Sequence, residues 1–533
     1  MGDADVLIVD GYVDEPALLG VPPYISPEPR LLAGVAGELG LKWSYVTIDE
    51  VREKGIPPGD ITLVYGGVTV PGKYLGGRPM SEKEAEHIAQ SSRESYIGGP
   101  LARYGRVTGF SHVVEKDLCA FFHDSFTGTP TDRWATVKEM ARWGQRGAGV
   151  VREHPWHRGP LMAEIETYRG CIRYFTGGCS FCSEPGYGKP EFRPVEDITG
   201  EMHALYQEGV RHFRLGGQSC IISYGSKGVG KTETPVPHPE KVGELFQGIR
   251  EACPDLKTLH VDNANPAVIW KHPNESFEVL SVIARYGTPG NVLALGMESA
   301  DPEVIRRNNL NARPHEVRGA VELINRAGSE RGENELPKLL PGLNFISGLP
   351  GESPGTFNLN YEFLKSILDD GLLLRRINIR KVLAKDLEVN LQHPREHRAF
   401  KERVRMNIDR PMLEKVIPLG TVLRRVYMEE RRGHTTFGRQ AGTYPILVGV
   451  RYPLELNQYH HIAVTEHGQR SVTGVHQPFI IHEAGFKQLE ALPGIGSKRA
   501  AAIFKKGPRN IEELRDTVKD DDLVRVLEKI VSF

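Results

Sequence analysis

Glu164-Ile165-Glu166-Thr167-Tyr168-Arg169-Gly170-Cys171 reads as a strand whose carboxyl end delivers a cysteine, and Cys179-Ser180-Phe181-Cys182 follows in the same loop. The spacing is C-x7-C-x2-C. Thiolates are soft ligands suited to iron–sulfur clusters or to zinc. Three cysteines leave one iron of a cubane without a protein ligand, so a small molecule can chelate there. The same thiols fit a zinc site completed by His154 or His157 just upstream. Cys119, Cys220 and Cys253 are scattered and read as small core residues.

Outward from this loop the pattern alternates. Candidate strands are 163–168, 211–217, 256–262, 291–298, 341–347 and 376–383, with helical patterns at 196–208, 239–252, 315–327 and 356–369. Six strands with intervening helices predict a partial β/α barrel, with its chemistry at the carboxyl ends of the strands. Gly216-Gly217 ends the second strand, Glu298 followed by Ser299 the fourth, and Phe345-Ile346-Ser347-Gly348-Leu349-Pro350-Gly351-Glu352 the fifth. Each alone is ordinary turn chemistry; their order after the cysteine loop is what carries weight.

In these residues, within 164–352, the chain resembles the radical S-adenosylmethionine (SAM) superfamily, whose cluster loop follows the first barrel strand. The resemblance implies a [4Fe–4S] cluster on Cys171, Cys179 and Cys182. It implies Phe181 beside the SAM adenine, Gly216 and Gly217 at the amino acid moiety, and Glu298 at the ribose. It places Ser347, Gly348, Leu349 and Pro350 at the adenine. The loop departs from the commonest superfamily spacing, C-x3-C-x2-C, by an enlarged first gap.

Gly225-Ser226-Lys227-Gly228-Val229-Gly230-Lys231-Thr232 satisfies the phosphate-loop pattern G-x4-G-K-[ST]. That motif needs a helix beginning at its end. Pro235, Pro237 and Pro239 follow instead and forbid one, so the stretch reads as a loop near the barrel mouth.

The N-terminal segment, 1–155, reads as a Rossmann-like α/β unit. Val6 to Val9 is a buried-strand run, a Pro-rich loop precedes a helical stretch from Arg30 to Leu39, and Trp43–Ile48 and Ile61–Tyr65 are the next strands. No G-x-G-x-x-G is present, so nicotinamide or flavin binding is not indicated. A Rossmann-like unit before such a barrel resembles the cobalamin-binding class of the superfamily. Residues 10–35 hold no histidine, so that loop cannot give cobalt an imidazole.

Past the barrel domain (156–385) the sequence predicts a helical linker and small β-rich module (386–482), with helix from 411 to 432 and strands at 443–452, 459–465 and 471–475. Leu492 to Ala502 within 483–533 resembles a helix–hairpin–helix around Gly494-Ile495-Gly496. Such a hairpin either offers N–H groups to a phosphate, helped by Lys498, Arg499, Lys505 and Lys506, or serves as a packing unit. The β-rich module loosely resembles barrels appended to RNA-modifying radical SAM enzymes.

The whole order resembles archaeal cobalamin-binding radical SAM proteins with a C-terminal helix–hairpin–helix. That group includes an enzyme that C-methylates a glutamine of methyl-coenzyme M reductase in methanogens. The resemblance therefore implies post-translational methylation of an unactivated sp3 carbon of a protein or peptide. Its cofactors would be a [4Fe–4S] cluster, SAM and methylcobalamin, with an external one-electron reductant as partner. RNA modification by the same chemistry and a zinc-binding adaptor remain open. The 533 residues carry 25% charged side chains and a formal net charge of −1, which argues against coating nucleic acid by charge alone. No apolar run approaches the ~20 residues of a membrane span, and Met1-Gly2-Asp3-Ala4-Asp5 is no signal peptide, so the expected setting is cytoplasmic.

Overall fold

The computed structural model describes residues 4–14, 19–67, 77–382 and 391–533. In the N-terminal part the strands are β1 (Val6–Asp10), β2 (Tyr24–Ile25), β3 (Trp43–Thr47), β4 (Ile61–Tyr65), β5 (Glu94–Gly98) and β6 (His112–Val113). All but β2 form one parallel sheet in the order β3-β1-β4-β5-β6. Helices cover this sheet, which explains why β1 is buried throughout and apolar apart from its final aspartate. The order reverses between β1 and β4, and open sheets of this kind bind ligands at that switch point. The turn after β4 must pass close to the turn after β1: a Cβ on Gly67 would lie 2.2 Å from the Tyr12 carbonyl oxygen.

The barrel strands lie where the spacing predicts them. They are β7 (Met162–Glu166), β10 (His212–Gly216), β11 (Thr258–Val261), β12 (Asn291–Glu298), β13 (Leu339–Ser347) and β14 (Arg376–Lys381); residue 383 falls outside the described residues. A two-stranded ribbon, β8 (Tyr168–Arg169) with β9 (Glu191–Phe192), brackets the cysteine loop. One sheet runs β11-β10-β7-β2 and the other β12-β13-β14, joined by a parallel bridge from Ala264 to Leu295. Thus β2, from the N-terminal segment, extends the barrel by pairing with β7.

The helix Pro27–Glu38 is buried along most of its length, between the N-terminal sheet and the barrel. Its Arg30 is wholly buried and donates from Nη2 to the Glu164 carbonyl (2.6 Å) and to Glu201 Oε1 (2.8 Å). The other oxygen of Glu201 accepts from Arg193 Nη2 (2.7 Å), and Arg193 Nη1 donates to the Glu166 carbonyl (2.8 Å). One carboxylate therefore holds two guanidiniums on the last turn of β7.

Past the barrel the structure corrects one expectation. Arg410–Val416 is helical, but Pro418 and Gly420 (φ +85°) end that run, and Val422–Arg432 is a strand, β15. The buried residues Leu423, Val426 and Tyr427 stand at i, i+3 and i+4, which imitates a helix. The cause is a bulge between Leu423 and Val426, which shifts the period of the strand. With β16 (Thr435–Gln440), β17 (Leu447–Val450), β18 (Tyr459–His467) and β19 (Ser471–Gln477) it closes a barrel in the order β15-β16-β17-β19-β18. Only β17 and β19 pair in parallel, the arrangement of an OB-type Greek-key barrel.

The expected strand 443–452 is shortened to β17 because residues 442–444 leave the sheet and enter the open side of the large barrel, between β2 and β14. Tyr24 Oη donates to the Gly442 carbonyl (2.5 Å), Tyr444 Oη to Asp262 Oδ2 (2.7 Å), and Arg376 stacks 3.6 Å over the Tyr444 ring. Helices Phe486–Glu490 and Ser497–Lys506 flank the Gly494 turn and pack on the small barrel. Among the described residues no helix is long and apolar enough to cross a membrane.

Burial pushes Glu201 up, but Arg193 and Arg30 outweigh it and hold the carboxyl below its ordinary value of 4.5. Its stabilising contribution is therefore complete above about pH 4.5 and is lost as pH falls through the depressed folded value. Glu201→Gln, which leaves two buried guanidiniums facing a neutral amide, is expected to cost about 3–5 kcal/mol. Denaturant midpoints from pH 7 down to pH 3 check both statements, because the wild-type advantage over the variant should shrink on acidification.

Candidate cofactor site at the barrel mouth

The cysteine loop leaves β8 at Gly170 (φ +93°), where an added Cβ would lie 2.9 Å from the Gly188 carbonyl, so the loop's two ends close on each other. Tyr174–Thr176 form one 3₁₀ turn, and Gly177 (φ +82°) and Gly178 (φ +64°) swing the chain back to present Cys179. The Cys182 amide donates to the Cys179 carbonyl (3.0 Å). The three thiols stand within electrostatic reach of one another. Burial pushes Cys179 up to about 11 against the pull of Arg173. Burial, followed by Glu184, raises Cys182 as well. The metal-free thiols are therefore protonated near neutrality, and loading a metal releases protons.

Among the described residues no three His, Cys, Asp or Glu side chains gather around a single ion position. A cubane makes a different demand: each thiolate takes its own iron, and the sulfurs stand further apart than around one ion. The histidines of the zinc reading are at the wrong end. His157 lies with Gly209 and His212, where strands enter the barrel, whereas the cysteines follow the ends where strands leave it. His154 is buried, stacks on Tyr45 at 6.1 Å and accepts from the Trp156 amide.

The other singled-out residues lie around the same mouth. Phe181 packs with Cys179, Ile346 and Leu349 in a small apolar cluster built on Val304 and Leu310. Ser347 Oγ contacts His397 Nδ1 (2.9 Å), the Gly348 amide donates to Glu352 Oε2 (3.0 Å), and the Pro350 carbonyl accepts from Asn308 Nδ2 (2.8 Å). Glu298 sits at φ +57°, with a buried Oε2 that has no partner. Burial pushes its carboxyl up to about 8 against the opposing charge of Arg380. Gly217 (φ +72°) lies beside Glu166. Gly216 faces a filled interior: its added Cβ would collide with Glu164, which pairs with Arg214, itself paired with Asp262. That glycine is required by the ion triad beneath it.

A narrow cleft, open to solvent, lies between the carboxyl edge of the N-terminal sheet and the cysteine loop. Glu28, Tyr65, Arg103 and Trp134 line it from the first side, Glu166, Arg169 and Gly217 from the second. Arg169 spans the two, with Nη1 on Asp117 (2.6 Å) and Nε on Glu166 (2.7 Å). Glu28 is buried, burial pushes its carboxyl up to about 7, and its Oε2 has no hydrogen-bond partner. Sequence reasoning missed Glu28, Asp117 and Arg169. Only Arg169, adjacent to Gly170-Cys171, carried a local signal.

Residues 165–364 match the family model described as the Radical SAM superfamily. An uncharacterized protein of Methanocaldococcus jannaschii is 43% identical over 503 residues, covering 88% of this chain and 92% of that protein. One of Archaeoglobus fulgidus is 42% identical, covering 91% and 93%. The ribosomal protein uS12 methylthiotransferase RimO of Syntrophus aciditrophicus is 26% identical over 40% of this chain and 41% of that protein. Among solved structures, the radical SAM methyltransferase TsrM of Kitasatospora setae, with cobalamin and a [4Fe–4S] cluster, aligns over 71% of this chain and 75% of its own. The TM-score there is 0.46 at 14% identity. A radical SAM domain implies a [4Fe–4S] cluster and SAM as cofactors, and the three thiols of the mouth supply the ligand chemistry such a cluster needs. The chain belongs to one family with the M. jannaschii and A. fulgidus proteins, and the barrel at its centre makes it a radical SAM enzyme.

Proposed function

We propose that this enzyme is a cobalamin-dependent radical SAM C-methyltransferase acting on an unactivated sp3 carbon, most narrowly the Cα of a glutamine in methyl-coenzyme M reductase. The observation that carries the reading is the shared cleft. The ligand-binding edge of the N-terminal sheet and the cysteine loop of the barrel face one another across it, so a group held by the first meets chemistry generated at the second. The free oxygen Oε2 of Glu28, whose carboxyl is otherwise hydrogen-bonded by Tyr65, suits the amide donors that fringe a corrin. Among the described residues that line the cleft there is no histidine, so cobalt would receive no imidazole from them.

When bound, the cluster and SAM supply a carbon-centred radical, and cobalamin supplies the methyl group. The chain's own residues hold and orient. Cys171, Cys179 and Cys182 would ligate three irons. Phe181, Leu349 and the backbone of Ser347, Gly348 and Pro350 would border the adenine, Glu298 the ribose hydroxyls, and Gly217 the amino acid end; Gly216 would shape the strand end behind it. The OB-type barrel favours one second reading, an RNA substrate for the same radical chemistry.

Anaerobic reconstitution is expected to load about four irons per chain, with cobalt after cobalamin is added, and to support 5′-deoxyadenosine release from SAM. Zinc without iron would remove the enzyme reading, and iron without cobalamin binding would remove methyl transfer from cobalt. Methyl incorporation from labelled SAM into a glutamine peptide or into RNA separates the two substrate classes. Ala at any one of Cys171, Cys179 or Cys182 should abolish deoxyadenosine release, whereas Cys253→Ala, in the core, should not. Glu298→Ala removes one hydrogen bond worth about 0.5–1.5 kcal/mol, so half-saturation by SAM should shift about 2- to 13-fold upward.

A further inference from the structure

The Gly- and Lys-rich stretch 225–236 takes no part in the chemistry above, yet it is fastened to the cysteine loop. It folds back through paired hydrogen bonds between Lys227 and Val236 (3.0 and 3.1 Å); no helix begins at Thr232, and the next one, Pro239–Ala252, starts only past the prolines. His272 Nε2 holds the Thr234 carbonyl (3.0 Å). Gly230, at φ +83°, packs so closely on Tyr174 that an added Cβ would lie 2.8 Å from its hydroxyl. The hairpin thus places Glu233 over the loop, where the carboxylate accepts from Thr176 Oγ1 and pairs with Arg173 Nε (3.2 Å).

Arg173 is only 3% exposed. Its Nη1 donates to the Cys179 sulfur (3.3 Å) and to the Asn309 carbonyl (2.9 Å), and its backbone amide donates to the Cys171 sulfur (3.4 Å). A single residue therefore addresses two of the three ligand thiols, and its guanidinium is aimed by a carbonyl on one side and a carboxylate on the other.

We propose that Arg173 and Glu233 are positioning residues that set the reduction potential of the cluster, Arg173 raising it and Glu233 holding that rise in check. The proposal rests on the radical SAM reading. One electron enters the cluster from the external reductant, and no atom or proton moves through the pair. The added negative charge is stabilised by N–H groups on the ligand sulfurs and by a buried cation beside them. Glu233 subtracts from that field, weakly, because its side chain is 40% exposed and partly screened by solvent.

The test is a redox titration of the reconstituted full-length protein, followed by the electron paramagnetic resonance signal of the reduced cluster, with iron counted in every sample. Arg173→Gln is expected to lower the midpoint potential, Arg173→Lys to lower it less, and Glu233→Gln to raise it, all at wild-type iron content. Unmoved potentials, or shifts of the same sign in Arg173→Gln and Glu233→Gln, overturn the proposal. Should Arg173→Gln lose its iron, Glu233→Gln decides alone: a rise supports the pair, and an unchanged or lowered value overturns it. A wild-type protein that binds no iron would instead overturn the superfamily reading on which the pair depends.

Discussion

The buried carboxylate of Glu201 is the constraint on which the mouth depends. It is 2% exposed and shared by two guanidiniums, each of which also caps a carbonyl at the end of β7. Arg30 comes from the helix that belongs to the N-terminal sheet, and Arg193 from the end of the segment that carries the cysteines. A buried ion set of this kind adds little net stability over apolar packing, yet losing one member leaves charges without a partner. Its effect is therefore on position: the N-terminal unit, the last turn of β7 and the return of the cysteine loop are fixed relative to one another at one point.

That fixation explains why the cleft exists where it does. The helix Pro27–Glu38 packs against Val137–Arg146 so tightly that a Cβ on Gly34 would lie 2.0 Å from the Trp143 carbonyl oxygen. With that helix locked, the carboxyl edges of both parallel sheets open toward the same space. Arg169, between Asp117 and Glu166, spans it without filling it. The C-terminal barrel closes the other open side, where Tyr444 reaches Asp262 and is stacked by Arg376. The partial barrel is thus walled from outside its own strands, and its accessible mouth is left facing the cysteine loop.

Much of this was legible in the sequence, for a local reason. Parallel strands buried on both faces are written as short apolar runs, and glycines mark their ends, so the barrel strands and the cysteine loop could be read directly. What was illegible depends on residues far apart in the chain. Nothing near Arg30 announces Glu201, 171 residues later. Nothing near Tyr444 announces Asp262. Glu28 reads as an ordinary acidic residue in the first turn of a helix, and only the fold reveals that it is buried beside the cleft. The missed strand β15 failed for a different reason: a bulge erased the alternation on which the reading relied.

The unusual spacing of the cysteines has a structural account that the motif alone does not supply. A C-x7 gap is four residues longer than the commonest C-x3 gap, and an idle extension would cost loop entropy for no return. Here the added length is spent on the turn Tyr174–Thr176 and the two left-handed glycines that follow it. The turn offers Tyr174 to Gly230 and Thr176 to Glu233, so the extra residues are the docking face for the hairpin. The glycines return the chain to Cys179, and Asn309 Nδ2 fastens that return at the Gly178 carbonyl (2.8 Å). A shorter loop would present the same three thiols but would lack the face that docks Glu233 beside Arg173. The enlarged gap and the hairpin that satisfies a phosphate-loop pattern are therefore two halves of one contact: the gap supplies the face, and the hairpin supplies the charge set upon it.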